Sequence, residues 1–204
     1  MFFLITGAAA SGKSTMAYLL KEKLPNAECH DYDEKTVATA IDRCRILEEE
    51  WIPAALLAQR TGRDFVLASH SPFGELLAAP SAIRLEGISG CLLDCHDFER
   101  VRRHRARPEM ADWPLTQHTL SWASWQRMHA HDPQWEQHVI VNPAQPGFEW
   151  TRWTSWPMGD KRWQVKVIDS SALAEDQTLG LLDDWINREK AKEAILEPSS
   201  QWWF

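Results

Sequence analysis

Apolar residues are concentrated in short segments that alternate with segments of helical periodicity. Continuous apolar runs are typical of parallel strands that are covered on both faces. Five strands are predicted, at residues 2–6, 27–30, 64–69, 88–95 and 163–168. The helical segments are 16–24, 34–59, 75–79, 96–107, 115–128 and 179–196. Because strands and helices alternate, they predict an α/β fold with one parallel sheet and helices on both faces.

Proline and tryptophan positions add detail to this pattern. Pro53 lacks an amide hydrogen and is predicted to divide the segment 34–59 into two helices. Eight of the twelve tryptophans lie between Trp113 and Trp163, within a Pro- and Gly-rich region that we interpret as an insertion before the last strand. That region is predicted to hold one strand at 138–141, and its tryptophans to form a packed cluster or an aromatic wall over a substrate.

Charge and composition narrow the class of protein. The 204 residues carry a net charge of −7 without a long basic run, which argues against binding along a nucleic-acid backbone. No run of eighteen apolar residues is present, so we expect a soluble, cytoplasmic protein that does not enter a membrane. We expect it to be a monomer or a homodimer. The length fits a single domain over 1–204, with 197–204 as a tail.

Cysteine and histidine spacing does not favour a metal site. The four cysteines lack a CxxC pair and are interpreted as structural thiols. His129 and His131 precede Asp132 and Pro133, which predicts a surface turn rather than zinc ligands.

The segment between the first strand and the first helix fits the phosphate-binding pattern G-x-x-x-x-G-K-[ST] at every position. Gly7 and Gly12 allow the tight turn that presents backbone N–H groups to phosphate oxygens. Lys13 is predicted to reach the β- and γ-phosphates, and the Ser14 hydroxyl to help bind Mg²⁺. The predicted ATP-binding residues of this loop are Gly7, Ala8, Ala9, Ala10, Ser11, Gly12, Lys13, Ser14 and Thr15.

Two further groups of charged residues follow predicted strands. Asp31 and Asp33 end the second strand, and carboxyl ends of parallel strands meet where the phosphate loop lies. Either aspartate could instead cap the next helix. After the fourth strand, five arginines occur on one helix: Arg100, Arg102, Arg103, Arg105 and Arg107.

The loop, the D-x-D pair and the arginine-rich helix, in this order, resemble the P-loop kinases of the nucleoside-monophosphate kinase superfamily. Within it, the pattern is most similar to the shikimate/gluconate kinase group, over residues 1–110 and 163–196. The resemblance implies a three-layer P-loop fold with strand order 2-3-1-4-5, and the use of ATP and Mg²⁺. It also implies a lid, which we place with the Trp-rich insertion at 108–161.

The same resemblance implies roles for individual residues. Asp31 would support the metal, and Asp33 would orient or deprotonate the acceptor hydroxyl. Arg107 would bind γ-phosphate charge, with Lys13 and Asp33 as the other catalytic residues. Arg103 and the terminal loop of the last strand, at Ser170, would contact the adenosine part of ATP.

The acceptor is expected between the helices of 34–60 and the turn at 69–80. Arg43 could meet an anionic group, while His70 and Glu75 could hydrogen-bond a hydroxyl or amine. Each has a structural alternative, because His70 could be a packing residue and Glu75 a helix-start charge. The turn lacks the arginine that related nucleotide kinases use for an acceptor phosphate.

These features favour an ATP-dependent kinase that phosphorylates a hydroxyl of a small metabolite or natural product. One alternative is a nucleoside or nucleoside-monophosphate kinase, and another is a regulatory P-loop NTPase or binding module. The D-x-x-G and N-K-x-D motifs of GTPase switches are absent from the sequence. Cys95 stands where an AAA-type machine would carry a glutamate after Asp94.

Overall fold

The computed structural model describes residues 1–35, 43–108, 112 and 114–204. Val37 and Ile41, predicted as apolar positions of a helix, and Trp113 lie outside the described residues. In the described ranges, none of the helices combines the length and the apolar character needed to cross a lipid bilayer.

The centre of the protein is one sheet of five parallel strands, as the sequence predicts. The strands are β1 (Phe2–Thr6), β2 (Ala27–Asp31), β3 (Asp64–Ser69), β4 (Ile88–Asp94) and β5 (Val165–Asp169). Their order is β2-β3-β1-β4-β5, which confirms the predicted fold class. The parallel register places the carboxyl ends of all five strands along one edge of the sheet.

Helices cover both faces of this sheet. They are α1 (Lys13–Lys23), α2 (Arg43–Ile46), α3 (Ile52–Arg60), α4 (Phe73–Ala78), α5 (Asp97–Arg105), α6 (Gln117–His131), α7 (Thr151–Thr154) and α8 (Glu175–Lys190). Alternate side chains of β1 enter opposite cores, because neighbouring residues of a strand point to opposite faces. Phe3 and Ile5 pack with α1 and α8, whereas Phe2 and Leu4 pack with α3, α4 and the tryptophan-rich region. Both faces of the sheet are therefore covered by apolar side chains, which explains the continuous apolar runs of its central strands.

Pro53 does not divide the helical segment that contains it, so that prediction is wrong. A π-helical stretch, Leu47–Trp51, joins α2 directly to α3. The amide of Ile52 donates to the carbonyl of Leu47, five residues earlier. Pro53 then falls in the first turn of α3, where a missing amide hydrogen removes no helical bond.

Several element boundaries also differ from the prediction. The strand expected at 138–141 is absent, and a 3₁₀ turn at Gln137–Val139 stands there. The turn expected at Asp132 and Pro133 is present, but His129 and His131 precede it, in the last turn of α6. The closing helix α8 begins and ends earlier than predicted. Within the insertion, mixed patterning gives a weak periodic signal, which accounts for the differences there.

Most of the described tryptophans of the insertion pack into the core beside α4, whereas Trp135 is 41% exposed. Trp153 and Trp163 are buried, and their ring centroids lie 5.3 Å apart. His129 lies between them and Trp125, with ring centroids 4.5 Å from Trp125 and 5.0 Å from Trp163. Trp202, from the predicted tail, is also buried and packs 6.2 Å from Trp156. The insertion therefore belongs to the main core and includes the packed cluster that was predicted.

His129 makes stability depend on pH. Burial lowers the pKa of His129 to about 4, so the unfolded chain binds the proton more readily. Stability therefore falls as pH drops from about 6.5 toward 4. We expect the free energy of unfolding to fall by about 2 kcal/mol more in wild type than in His129→Phe between pH 7 and pH 5.

Urea unfolding at the two pH values measures this difference. The exposed His131, on the same helix, provides the control His131→Gln, which should keep the wild-type pH dependence. Equal pH dependence in wild type and His129→Phe would contradict the assignment.

Candidate nucleotide-binding site

The phosphate loop connects β1 to α1 through a backbone that requires small residues. Gly12 has a φ of 100° and Ala10 a φ of 59°, both in the left-handed region. A Cβ atom at position 7 would lie 2.3 Å from the Leu93 carbonyl oxygen, so only glycine fits against β4. Gly12 is therefore needed for its left-handed backbone conformation, and Gly7 is needed because no side chain fits there.

Side chains from α5 and from the loop after β5 fix the outer side of this loop through its carbonyl groups. The bonds are Arg100 Nη1 to the Ala9 oxygen (2.6 Å), Cys95 Sγ to the Ala10 oxygen (3.7 Å), and Ser170 Oγ and Arg103 Nη1 to the Ser11 oxygen (3.4 Å each). Three consecutive carbonyls are thus engaged from outside the loop. Their orientation directs the adjacent amide groups toward the concave side.

The amide groups of the loop form the complementary surface. Among the described residues, none supplies an acceptor within hydrogen-bond range of the Ala9, Ala10 or Gly12 amides. A backbone N–H group seeks a partner, and successive unpaired N–H groups form an anion-binding concavity. The loop therefore fits the phosphate groups of a nucleotide.

Lys13 lies at the centre of the charged residues at this edge of the sheet. Its Nζ donates to the Ala8 carbonyl at 3.3 Å, and it forms no ion pair with any described residue. Burial lowers the pKa of Lys13 to about 8. The carboxylates of Asp31 and Asp33 oppose that shift, and two arginine charges, at positions 100 and 107, add to it. The predicted catalytic residues are thereby brought around one ammonium group.

Asp31 and Asp33 occupy the end of β2, beside the loop. Asp31 Oδ1 accepts a hydrogen bond from the Asp33 amide at 3.0 Å, and the Asp31 amide donates to Glu34 Oε1 at 3.0 Å. Asp31 thus caps the short 3₁₀ turn Tyr32–Glu34, as the structural alternative predicted. Asp33 is exposed at the same edge. The cap fixes the direction of the Asp31 carboxylate.

A cleft of about 390 Å³ opens on the other side of the loop. Arg103 crosses it, with Nη1 2.9 Å from Ser170 Oγ and Nη2 2.6 Å from the Ser170 carbonyl oxygen. Arg107 and Thr15 also line this cleft. The structure therefore places Arg103, Arg107 and Ser170 together, next to the loop, as one wall of a nucleotide-sized space.

The predicted acceptor residues cluster on the opposite side, near Asp33. Arg43 Nε lies 3.1 Å from Glu75 Oε2, and its Nη2 contacts the other carboxylate oxygen. Tyr32 donates its hydroxyl hydrogen to the Arg43 carbonyl at 3.2 Å, and its ring lies 4.9 Å from His70. Burial, together with the charges of Lys13 and Arg43, lowers the pKa of His70 to about 4.

Sequence reasoning missed the ionic support beneath the loop. Asp94, at the end of β4, accepts from Arg100 Nη2 at 2.8 Å and from Arg127 Nε at 2.6 Å. Arg100, which the sequence groups with four other arginines of the same helix, is fully buried. The sequence contained one signal for this support. The fourth strand lies next to the first in the predicted order, which places Asp94, at its end, near the phosphate loop. Arg127 comes from α6, and nothing in the sequence pattern pairs it with Asp94.

Comparisons with known proteins yield similarity at the level of overall structure. No protein-family model matches the chain, and no curated protein matches it in sequence. Thymidylate kinase from Candida albicans superposes over 94% of this chain and 93% of its own, with 15% identity and a TM-score of 0.48. The protein APE1195 superposes over 92% and 95%, with 18% identity and a TM-score of 0.48. At these values, neither similarity bears on the activity of this chain.

Replacing Arg100 tests the ionic support of the loop. Arg100→Leu leaves the buried Asp94 without one partner and frees the Ala9 carbonyl. We therefore expect the free energy of unfolding to fall by about 3–5 kcal/mol, as measured by urea unfolding. Arg102 lies on the same helix with a side chain that is 64% exposed and paired only with Glu99. Arg102→Leu should change stability by less than about 1 kcal/mol, and similar losses in both variants would contradict this assignment.

Proposed function

We propose that this protein is an ATP-dependent phosphotransferase that transfers the γ-phosphate to a hydroxyl of a small molecule. The observation that carries the proposal is the environment of Lys13. Its ammonium group donates to the loop at the Ala8 carbonyl, and the charges of two carboxylates and two arginines act on it, beside loop amides that suit phosphate oxygens. The sheet order and the sequence of motifs are those implied by the resemblance to P-loop kinases, which supports the same conclusion.

The nucleotide would bind across the loop and the cleft beside it. Loop amides and Lys13 would receive the phosphate oxygens, and the partial positive charge at the start of α1 would add to the attraction. Arg103, anchored to Ser170, would border the adenosine part. Arg107 lines the cleft beside the loop and would stabilise charge on the γ-phosphate.

A divalent cation fits the oxygen donors at this edge. Ser14 is exposed at the start of α1, and the Asp31 carboxylate faces the same group of charges as Lys13. Hydroxyl and carboxylate oxygens are the donors that Mg²⁺ prefers. When bound there, Mg²⁺ would neutralise charge on the phosphate oxygens. The Asp31 cap supplies the fixed direction that such a ligand needs.

The transfer requires a positioned hydroxyl and little covalent help from the protein. The acceptor oxygen attacks the γ-phosphorus, the bond to the β–γ bridging oxygen breaks, and ADP leaves. Asp33 would orient the hydroxyl and accept its proton. Lys13, Arg107 and the loop amides would stabilise the negative charge of the phosphate throughout the transfer. We also propose that residues 108–161 form the lid. Within this range, α6 packs against the core.

Removing the ammonium group of Lys13 tests the phosphate site. We expect Lys13→Met to lower ADP release, measured with a panel of hydroxyl compounds, at least a hundredfold without changing the melting temperature. Lys13 makes one weak contact to the loop, so the fold does not depend on it. Lys23→Met, at the other end of α1, is the matched control and should retain activity. Wild-type turnover by Lys13→Met would disprove the proposal.

Asp33→Asn separates proton transfer from helix capping. A general base contributes about 10²–10⁴ in rate, so kcat should fall by about that factor while the Kd for Mg·ATP stays within about threefold. Asp176→Asn, at an exposed carboxylate in α8, should leave kcat unchanged. An unchanged kcat in Asp33→Asn would reduce Asp33 to a structural residue.

A further inference from the structure

The Arg43–Glu75 ion pair is the central feature of the proposed acceptor side. Both carboxylate oxygens of Glu75 bind the guanidinium group of Arg43, and Glu75 is 1% exposed. Trp122 covers the guanidinium plane, with its ring centroid 5.2 Å away. Glu75 takes up the Nε and Nη2 donors of Arg43, one of the two edges through which a guanidinium group binds a phosphate or a carboxylate. This cation is therefore already neutralised by the protein.

The ion pair is linked directly to the catalytic residues. Tyr32 donates to the Arg43 carbonyl and contacts His70, and it immediately precedes Asp33. His70 is influenced by the charges of both Lys13 and Arg43, which places it between the phosphate loop and the ion pair. With a pKa of about 4, His70 is neutral near pH 7 and supplies no positive charge.

Two other cations of the predicted acceptor segment have acidic partners. Lys35 pairs with Glu50 at 3.7 Å, and Arg45 pairs with Glu49 at 2.9 Å. The arginines of α5, by contrast, belong to the nucleotide side. The acceptor side therefore combines the carboxylate of Asp33 with cations that are already paired.

From this arrangement, we infer that the acceptor is a neutral or amine-bearing hydroxyl compound, and that Glu75 excludes phosphorylated or acidic acceptors by occupying Arg43. This inference rests on the proposed phosphotransferase function and specifies its substrate class. A phosphate entering this pocket would meet the Asp33 carboxylate and would have to displace Glu75 from Arg43. A sugar, an amino sugar or a nucleoside meets neither obstacle. Discrimination arises here from a repulsive element as well as from attractive contacts.

Wild-type protein provides the first test, with acceptors compared in matched pairs. The pairs are glucosamine with glucosamine 6-phosphate, uridine with uridine monophosphate, and glucose with gluconate. ADP release with Mg·ATP should show a kcat/KM at least a hundredfold higher for the uncharged or amine-bearing member of any pair that reacts. Preference for a phosphorylated or acidic member would overturn the inference while leaving the kinase function intact. Failure to bind Mg·ATP would instead overturn the proposed function.

A binding experiment tests whether Glu75 excludes a phosphorylated acceptor, and it does not require turnover. Uridine monophosphate is titrated into protein whose nucleotide site is saturated with Mg·ADP. Because Glu75→Gln releases the Arg43 guanidinium group, this variant should bind the monophosphate at least tenfold more tightly than wild type does. Glu28→Gln, which breaks the ion pair with Arg63 outside the acceptor segment, should show no gain. Tight binding by wild type, or no gain in Glu75→Gln, would overturn the inference.

Two further measurements guard against a folding artefact. Retained Mg·ADP affinity and an unchanged circular-dichroism melt show that Glu75→Gln is folded. Adding Arg43→Met to Glu75→Gln should abolish the gain, because the released cation is then removed. Persistence of the gain in the double variant would show that the monophosphate binds elsewhere, and would contradict the role assigned to Arg43.

Discussion

The buried guanidinium group of Arg100 is the interaction on which the nucleotide site depends. It binds the Ala9 carbonyl, the Cys95 carbonyl and the Asp94 carboxylate at once, from a side chain without solvent exposure. These bonds from Nη1 and Nη2 compensate the burial of the charge, while Nε has no partner among the described residues. The phosphate loop, β4 and α5 are therefore fixed relative to one another by a single residue. The orientation of the loop amides follows from this anchor.

Around this anchor, the charges separate into two regions with different tasks. Arg103 and Arg107 border the cleft after β5, where positive charge suits a nucleotide. On the β2 and β3 side, Arg43 is neutralised by Glu75, and Asp33 contributes negative charge. Lys13 lies between the two regions and is influenced by both. This arrangement would suit the transfer of a phosphoryl group from the positively charged region to an uncharged acceptor in the other region.

The central strands β1, β3 and β4 were predictable because they are buried on both faces and so read as runs of apolar residues. The loop was predictable from its glycines and Lys13. Pro53 misled the prediction, since a proline in the first turn of a helix resembles one that ends a helix. The Arg100–Asp94 and Arg43–Glu75 pairs could not be predicted, because they join residues that are brought together only by the tertiary fold. The interpretation of the arginine-rich helix failed to separate its buried member from its exposed ones for the same reason.

The central position of β1 has a consequence for the order in which the protein acquires its structure. This strand comes first in the chain but pairs with β3 and β4, which follow much later. Gly7 packs against Leu93, and the Ser11 carbonyl receives its bond from Ser170. Contacts so distant in sequence form late during folding. The loop therefore reaches its final form only when these later segments are in place, so its shape is a property of the assembled sheet and of no shorter stretch of the chain.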